Sequence, residues 1–421
     1  MMHMDARSSN KVKELLVKGV KIPNPAAVEI GDEVKLENIS GHRSTLHAGC
    51  KIFGSKTLIL DGVELGYEGP VTVDNCQIGP QVQLKGGFFK EAVFLKKSSA
   101  GSGAHVREGT IFEEEASIAH TVGLKQTILF PFVTLGSLIN FCDCFMAGGT
   151  GRRNHSEVGS SYIHFNFTPN QDKVTPSMMG DVPQGVMLDR PPIFLGGQGG
   201  LVGPCRLAFG TVIAAGTIYR KDELRSSRLI FEGSGRGGNL PFVPGVYRGF
   251  KRIIVNNIIY ISNLIALNQW YGHVRRLFIS NVFPPALVEA LGEKLAMGID
   301  ERIQRLEDLA TKLNEMLAIR QEKPSGKKAA PSKTLMQQKE FCEAMPRIKH
   351  IFEDMRRYDG DPHILEALLE QLTHSMNLHN KDYISTINAL DSIAKNNGTK
   401  WLQGIVDTVI SKVLNAMPSF Q

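Results

Sequence analysis

Apolar residues recur at every sixth position over part of the chain, a spacing that neither an α-helix nor an ordinary strand produces. The stretch from Leu195 to Tyr219 divides into LGGQGG, LVGPCR, LAFGTV and IAAGTI, and each unit begins with an aliphatic residue. A small residue stands four positions later in each unit. These small positions are Gly199, Cys205, Thr211 and Thr217. Each unit therefore fits one short strand followed by a tight turn.

Three such units make one triangular coil of about 18 residues, and stacked coils form a parallel β-helix. In that fold the aliphatic residue points inward and the small residue occupies a crowded corner, where glycines relieve backbone strain. Related units begin at Ile30, Ile78, Val106, Phe112, Ile118, Leu135, Val158 and Met179. The register is lost over 43–69 and 85–103, while 166–178 and 185–192 are predicted loops, where sites are usually built. We predict a β-helix of hexapeptide repeats.

The second half of the chain has a helical pattern, with apolar residues three and four positions apart. Most of the 42 glycines lie before residue 245. A long amphipathic helix is predicted over about 285–321. The predicted organisation is an N-terminal extension over 1–27, the β-helix over 28–225, a glycine-rich linker over 226–244, long helices over 245–322, a flexible basic linker over 323–334 and a C-terminal helical region over 335–421.

Composition narrows the class of protein. The chain has 421 residues, 42% hydrophobic and 21% charged, with a formal charge of +6 and a pI near 8.9. This mildly basic balance suits an anionic ligand such as a phosphate and does not indicate nucleic acid. No apolar run is long enough to predict a membrane span. Six cysteines in this length indicate free thiols rather than a disulfide scaffold, so we expect a cytoplasmic protein.

The segment from Leu135 to Lys221 resembles a known family. The repeat that ends in IAAGT, and the order of an asparagine–aromatic pair, a loop, a lysine and a Gly–Asp hexad in VGSSYIHFNFTPNQDKVTPSMMGD, are similar to the glucosamine-1-phosphate N-acetyltransferase domain of the bifunctional bacterial enzyme that makes UDP-N-acetylglucosamine. That resemblance implies a left-handed parallel β-helix, acetyl-CoA as co-substrate, and a homotrimer with sites between subunits.

The resemblance also implies roles for individual residues. Asn166 matches an asparagine that binds the substrate and the acyl group, and Lys173 matches a loop lysine that contacts the sugar phosphate. Lys125 is similar to an earlier lysine that faces the substrate. Ala214 and Ala215 lie where acetyl-CoA runs along the coils. The implied ligand is therefore a phosphosugar or a nucleotide sugar, and no metal is implied.

The chain departs from the family at the catalytic base. Where the family has a histidine, the matching region GSLINFCDC holds Asn140, which we assign to substrate binding. His155 is the nearest candidate base, because histidine titrates close to neutral pH. Arg153 and its neighbour Arg152 are candidate phosphate ligands, although charges on a solvated loop are the plain alternative. The uridylyl-transfer half of the bifunctional enzyme has no counterpart in the sequence.

The predicted function is CoA-dependent N-acyl transfer to a phosphorylated amino sugar. A non-catalytic phosphosugar-binding or scaffold protein is the main alternative, because the family histidine is displaced. A second alternative is a metal site of the γ-carbonic-anhydrase kind, built from His120, His155 and His164. From its place in a hexad, we expect His164 to be structural, and we expect His120 to face outward.

Overall fold

The structure, a computed structural model, describes residues 6–231, 247, 249–322 and 333–421. Most of the described strands run parallel in two sheets, one of 16 strands that bends around a corner and one of ten strands, and two further strands form a separate antiparallel pair. Together the two sheets form the three faces of a triangular prism, which confirms the predicted left-handed parallel β-helix. We call the ten-stranded sheet face 1 and the two parts of the larger sheet faces 2 and 3.

Each face is a ladder of short strands from successive coils. Face 1 contains Thr45–Leu46, Glu64–Leu65, Gln83–Leu84, Ser99–Ala100, Ser117–Ile118, Thr134–Leu135, Glu157–Val158, Phe194–Leu195, Val212–Ile213 and Leu229–Ile230. Face 2 contains Glu29–Ile30, Lys51–Phe53, Val71–Asp74, Gly87–Lys90, Ala104–Val106, the first parts of Gly123–Leu129 and Asn140–Met146, Ile163–Phe165, Gly200–Val202 and Ile218–Tyr219. Face 3 contains Leu58–Ile59, Gln77–Ile78, Ala92–Phe94, Thr110–Phe112, the second parts of the same two long strands, Ser177–Met179 and Arg206–Leu207.

The aliphatic residues of the six-residue repeat fill the interior of the prism, as predicted. Leu195, Leu201 and Ile213 are fully buried, and Leu207 is 2% exposed. The small residues at the corners are buried as well, including Cys205, Thr211 and Thr217. The repeat therefore encodes one inward aliphatic residue for each face of each coil.

Coils of unequal length explain the lost register over 43–69 and 85–103. Leu46 pairs with Leu65, Leu65 with Leu84, and Leu84 with Ala100, although the sequence intervals differ. The inward stack continues because the extra or missing residues fall at the corners, outside the strands.

Two long strands turn the corner between faces 2 and 3 without a loop. They bend at Gln126 and Asp143, whose φ angles are 50° and 56°. Left-handed backbone at a non-glycine residue is uncommon, and here it redirects each strand by one face of the prism.

The helices of the described chain lie mostly after the β-helix. They are α1 (Ala6–Lys18), α2 (Val182–Gly185), α3 (Phe250–Gln269), α4 (Pro285–Glu322), α5 (Lys333–Met355), α6 (Pro362–Leu378), α7 (Tyr383–Ala389) and α8 (Ser392–Asn415). A π-turn at Trp270–Val274 and a 3-10 turn at Arg275–Phe278 continue α3. The predicted helix over 285–321 is confirmed as α4.

The structure adds detail to the first predicted segment and places two later boundaries differently. The N-terminal extension contains α1, whose Lys11 ammonium group bonds the Gly31 carbonyl oxygen at 3.0 Å. The β-helix does not end at residue 225, because Leu229–Ile230 pairs with Val212–Ile213 on face 1. Helix α5 begins at Lys333, inside the predicted linker over 323–334, and residues 323–332 of that linker lie outside the described residues. Residues 232–246, which include most of the predicted glycine-rich linker over 226–244, also lie outside them.

Among the described residues, the helical half covers face 3 and leaves faces 1 and 2 open. Helix α3 contacts the Ser177–Met179 strand, and α4 contacts the Ala92–Phe94 and Thr110–Phe112 strands. The ring of Phe145 stacks on Tyr260 of α3 with 5.5 Å between ring centroids. Face 3 is therefore buried on both sides, as parallel sheets covered by helices usually are.

Two further features bear on the sequence predictions. One helical segment of the described chain, Phe250–Phe278, is long and apolar enough to cross a membrane, and 78% of its apolar window is buried inside the protein. The six cysteines are all buried and free, which confirms the prediction of free thiols.

A close approach between coils makes Gly196 sensitive to substitution. A methyl group at Gly196 would come within 2.3 Å of the Ala215 amide nitrogen on the next coil. We expect Gly196→Ala to lower the free energy of unfolding by about 1–3 kcal/mol, because the coils would have to separate. Chemical denaturation checks this, with Gly69→Ala as the control, since nothing lies within 4 Å of its added methyl group. Equal stability of the two variants contradicts the prediction.

Candidate functional site

The outward side chains of face 2 form columns, because the strands pair in register. His105 lies opposite Gly123, which lies opposite Asn140, which lies opposite Ile163. Neighbouring strands are about 4.8 Å apart, so His105 and Asn140 are separated by about 10 Å. One column of face 2 therefore holds a histidine and an asparagine on the same open surface.

The next column carries positive charge. Lys125 lies opposite Cys142 in the following coil. Val106 lies opposite Leu124, which places Arg107 beside Lys125 in the preceding coil. The Lys125 ammonium group is 2.7 Å from the Glu108 carboxylate and remains 24% exposed. Two cationic residues on strands about 4.8 Å apart, on the same side of a face, can together bind the oxygens of a phosphate group.

Cys142 lies inside this surface without acting as a nucleophile. Its thiol donates to the Asn140 side-chain oxygen at 3.2 Å. Burial raises the pKa of the Cys142 thiol to about 11, although the neighbouring Arg107 guanidinium opposes that shift. The thiol is therefore protonated at neutral pH, and the thiolate is the reactive form.

The loop over 166–176 follows face 2 and reaches the corner with face 3. Asn166 donates from its side-chain nitrogen to the Asp143 carboxylate, and Asp143 is the corner residue of the coil below. Lys173 lies on the same loop, half-buried. Lys125, Asn140, Asn166 and Lys173 thus come from consecutive coils and lie on face 2 or at its edge.

His155 and Arg153 lie at a different corner. They belong to the hairpin of Gly149–Gly151 and Asn154–His155, which connects face 3 to face 1. The His155 Nδ1 atom is 2.9 Å from the Arg152 carbonyl oxygen, and its Nε2 atom is 4.0 Å from the Glu157 carboxylate. Arg153 is exposed on this hairpin.

Arg152 anchors the hairpin to the preceding coils. Its guanidinium group donates to the carbonyl oxygens of Glu115 at 3.0 Å and Phe132 at 2.8 Å, and to the Thr134 hydroxyl at 3.2 Å. These donors are used within the protein, so the structure gives Arg152 a structural contact rather than an open cation.

Ala214 and Ala215 occupy the third corner, between faces 1 and 2 of a later coil. Ala214 donates its amide to the Ile230 carbonyl oxygen at 2.8 Å, and Ala215 is exposed. The predicted site residues therefore fall at three corners of one convex prism. Within one chain the structure brings together the face-2 group but neither His155 nor the two alanines.

The histidines of the metal alternative do not converge. His164 is 1% exposed inside the prism, where it bonds the Cys142 carbonyl oxygen at 2.6 Å and the Ser177 hydroxyl at 2.7 Å. This confirms the structural role expected for it. His120 is exposed at the corner of faces 1 and 2, as expected, and His155 is at another corner. Among the described residues, no group of three or more His, Cys, Asp or Glu side chains could hold a metal ion.

Sequence reasoning missed two residues of this surface and one behind it. His105 and Arg107 are exposed on face 2, and the alternation in AHVREG could have placed both on one side of a strand. Arg302 lies in α4, distant in sequence from the loop that it contacts. No local pattern signals that contact.

The fold and the face-2 surface identify the first half of the chain as a hexapeptide-repeat β-helix domain, covered by helices on one face and, in the part of the chain that the structure describes, open on the other two. No protein-family model matches the chain.

Among curated proteins, the chain is similar to bifunctional protein GlmU from several bacteria. It is 26% identical over 213 residues to GlmU of Thermotoga petrophila, which covers 50% of this chain and 42% of the relative. It is 27% identical over 211 residues to GlmU of Pelobacter propionicus, with 50% and 40% covered. The chain thus spans about two fifths of the length of these relatives. The similarity to the family named from the sequence is confirmed over half of the chain.

Proposed function

We propose that face 2 binds a phosphorylated amino sugar and that the protein transfers an acetyl group from acetyl-CoA to the sugar amine. The observation that carries this proposal is the placement of Arg107, Lys125 and Asn140 on consecutive coils, next to the loop that holds Asn166 and Lys173. Similarity to GlmU supports the same reading. Glucosamine 1-phosphate is the acceptor that the resemblance implies.

The reaction joins the sugar nitrogen to the acetyl carbonyl carbon and breaks the carbon–sulfur bond of acetyl-CoA. The amine loses a proton to a base, and the departing thiolate of CoA takes up a proton. In this proposal Lys125, Arg107 and Lys173 neutralise the phosphate, Asn140 and Asn166 hydrogen-bond the sugar, and Arg153 adds a further cation for the phosphate. Acetyl-CoA runs past Ala214 and Ala215.

The proposed assembly is a homotrimer. The predicted site residues lie at three different corners of the prism, so they can come together only where subunits meet. His155 of one subunit would then serve as the base for the face-2 site of another. The open faces carry exposed apolar side chains that suit packing between copies, while helices cover face 3. These side chains are Leu138, Ile163, Phe165, Phe194 and Val212. We also propose a cytoplasmic location, where acetyl-CoA and reduced thiols coexist.

Loss of Lys125 tests the proposed phosphate site. We expect Lys125→Met to raise the KM for glucosamine 1-phosphate about 10- to 100-fold, since a hydrogen bond to a charged group contributes about 1.5–3 kcal/mol. Release of free CoA thiol from acetyl-CoA measures the rate. The matched control is Lys51→Met, because Lys51 is also on face 2 and pairs with Glu29 at 3.1 Å. Absence of thiol release by the wild type rejects acyl transfer, and equal KM values in both variants remove Lys125 from the site.

A non-catalytic phosphosugar-binding protein is the second candidate. Asn140 favours it, because an amide cannot remove a proton from the amine at the position where the family has its histidine. Thermal unfolding distinguishes the two. Stabilisation by both acetyl-CoA and glucosamine 1-phosphate supports the enzyme, and stabilisation by the sugar phosphate alone supports the binding protein.

A further inference from the structure

Side chains from the helical half hold the loop over 166–176 against the β-helix. Besides Arg302, three of them bond the loop directly. The contacts are the Tyr247 hydroxyl to the Asp172 carboxylate (2.9 Å), the Asn257 side-chain nitrogen to the Val174 carbonyl oxygen (3.0 Å) and the Lys312 ammonium group to the Gln171 carbonyl oxygen (2.7 Å). The loop therefore depends on α3 and α4 for its position as well as on its own coil.

Arg302 makes the central contact of this set. One terminal nitrogen donates to the Lys173 carbonyl oxygen at 2.9 Å, and the other donates to the Asp143 carboxylate at 2.9 Å. The Arg302 and Asp143 side chains are only 2% and 4% exposed. The second oxygen of Asp143 accepts the hydrogen bond from the Asn166 side-chain nitrogen. A single guanidinium group thus connects both ends of the loop that carry predicted substrate residues.

We infer that Arg302 is a positioning residue for the face-2 site, and this inference rests on the proposed binding of a sugar phosphate there. The Asp143 carboxylate, which is paired with Arg302, can only accept hydrogen bonds. Asn166 must therefore turn its side-chain nitrogen, the donor, towards Asp143. The side-chain oxygen of Asn166 then faces away as an acceptor for the sugar amine. Holding the Lys173 carbonyl oxygen fixes the main chain from which its ammonium group extends.

The geometry requires arginine in particular. Its planar fork donates in two directions at once, whereas a lysine at the same place is a single point charge on a flexible stem. Arg302→Lys therefore keeps a positive charge near Asp143 and loses the simultaneous contact with Lys173. The matched control is Arg305→Lys on the same helix, because Arg305 bonds Glu301 and Asp308 of its own helix.

Calorimetric titration with glucosamine 1-phosphate tests the inference on the full chain. We expect Arg302→Lys to weaken the Kd at least about tenfold, with the affinity for acetyl-CoA unchanged and with Arg305→Lys equal to the wild type. Asp143→Asn should weaken the Kd similarly, and the effects of the two changes should not add in the double variant, since Arg302, Asp143 and the loop form one hydrogen-bonded network. Amide hydrogen exchange over 168–175, measured without ligand, should be about tenfold faster in Arg302→Lys than in the wild type, and unchanged in Arg305→Lys.

The outcomes separate the inference from the proposed function. Unchanged Kd in Arg302→Lys, even with a lower melting temperature, overturns the positioning role. Unchanged hydrogen exchange over 168–175 shows that Arg302 does not hold the loop in place, which also overturns the inference. Failure of the wild type to bind glucosamine 1-phosphate rejects the proposed ligand, and with it the substrate role of Arg302, whereas binding without thiol release rejects only the transferase reaction.

Discussion

Replacing Arg275 by methionine is expected to lower the free energy of unfolding by about 3–5 kcal/mol, because it leaves a buried carboxylate without its partner. Arg275 is 1% exposed, and one of its terminal nitrogens donates to the Glu114 carboxylate at 3.2 Å while the other contacts the same group. Its guanidinium carbon is 3.7 Å from the centroid of the Tyr383 ring. This pair joins the β-helix to the helical half, so its loss weakens the contact between them.

The control for this change is Arg276→Met, because Arg276 is the exposed neighbour on the same turn. We also expect Glu114→Gln, introduced together with Arg275→Met, to recover much of the lost stability, since a neutral amide is less costly to bury than an unpaired charge. Denaturant titration of the three variants measures both effects. Equal stability of the Arg275 and Arg276 variants contradicts the assigned role of the ion pair.

Lowering the pH from about 6.5 to 4 is expected to destabilise the protein by up to about 3 kcal/mol through His164 alone. Burial lowers the pKa of His164 to about 4, and the bond to the Cys142 carbonyl oxygen and the charge of Asp143 only partly oppose this shift. The unfolded chain therefore binds a proton at a higher pH than the folded protein. The stabilisation is fully present above pH 6.5 and is lost as the pH falls towards 4.

A second buried group, Glu113, changes the stability of the protein with pH in the opposite direction. Burial, and to a lesser degree the charge of Glu114, raise the pKa of Glu113 to about 7, so its contribution is present at low pH and is lost as the pH rises from about 4.5 to 7. The His164 effect is therefore isolated by comparison with a variant. Unfolding free energies of His164→Gln should fall less steeply with acid than those of the wild type, and those of the exposed variant His120→Gln should not differ. Parallel curves for all three proteins would refute the assignment.

The β-helix could be predicted because its information is local and periodic. Leu195, Leu201 and Ile213 repeat every six residues because each coil has three faces, and each face requires an inward aliphatic side chain. The long helix α4 was predictable for a similar reason, since its apolar positions follow the period of an α-helix. The end of the β-helix at Leu229–Ile230 was missed, because one short strand carries too little pattern to distinguish it from a linker.

The candidate site could be predicted only in part. Lys125, Asn140, Asn166 and Lys173 were named from resemblance, and the register of face 2 places them on neighbouring coils. The separation of His155 from them was not derivable, because His155 lies on a hairpin at a different corner of the prism. The role of His155 as a base remains a proposal that depends on a second subunit.

The amino-acid sequence by itself determined the repeat, the inward and outward faces of each coil, and the change to helices in the second half, because each depends on residues close together in the chain. Only the tertiary structure decided that the described helices cover face 3 rather than face 2, and that Arg302 reaches Asp143 and the Lys173 carbonyl oxygen. Those contacts join residues far apart in sequence, and their energy arises from burial and charge pairing that exist only once the chain has folded.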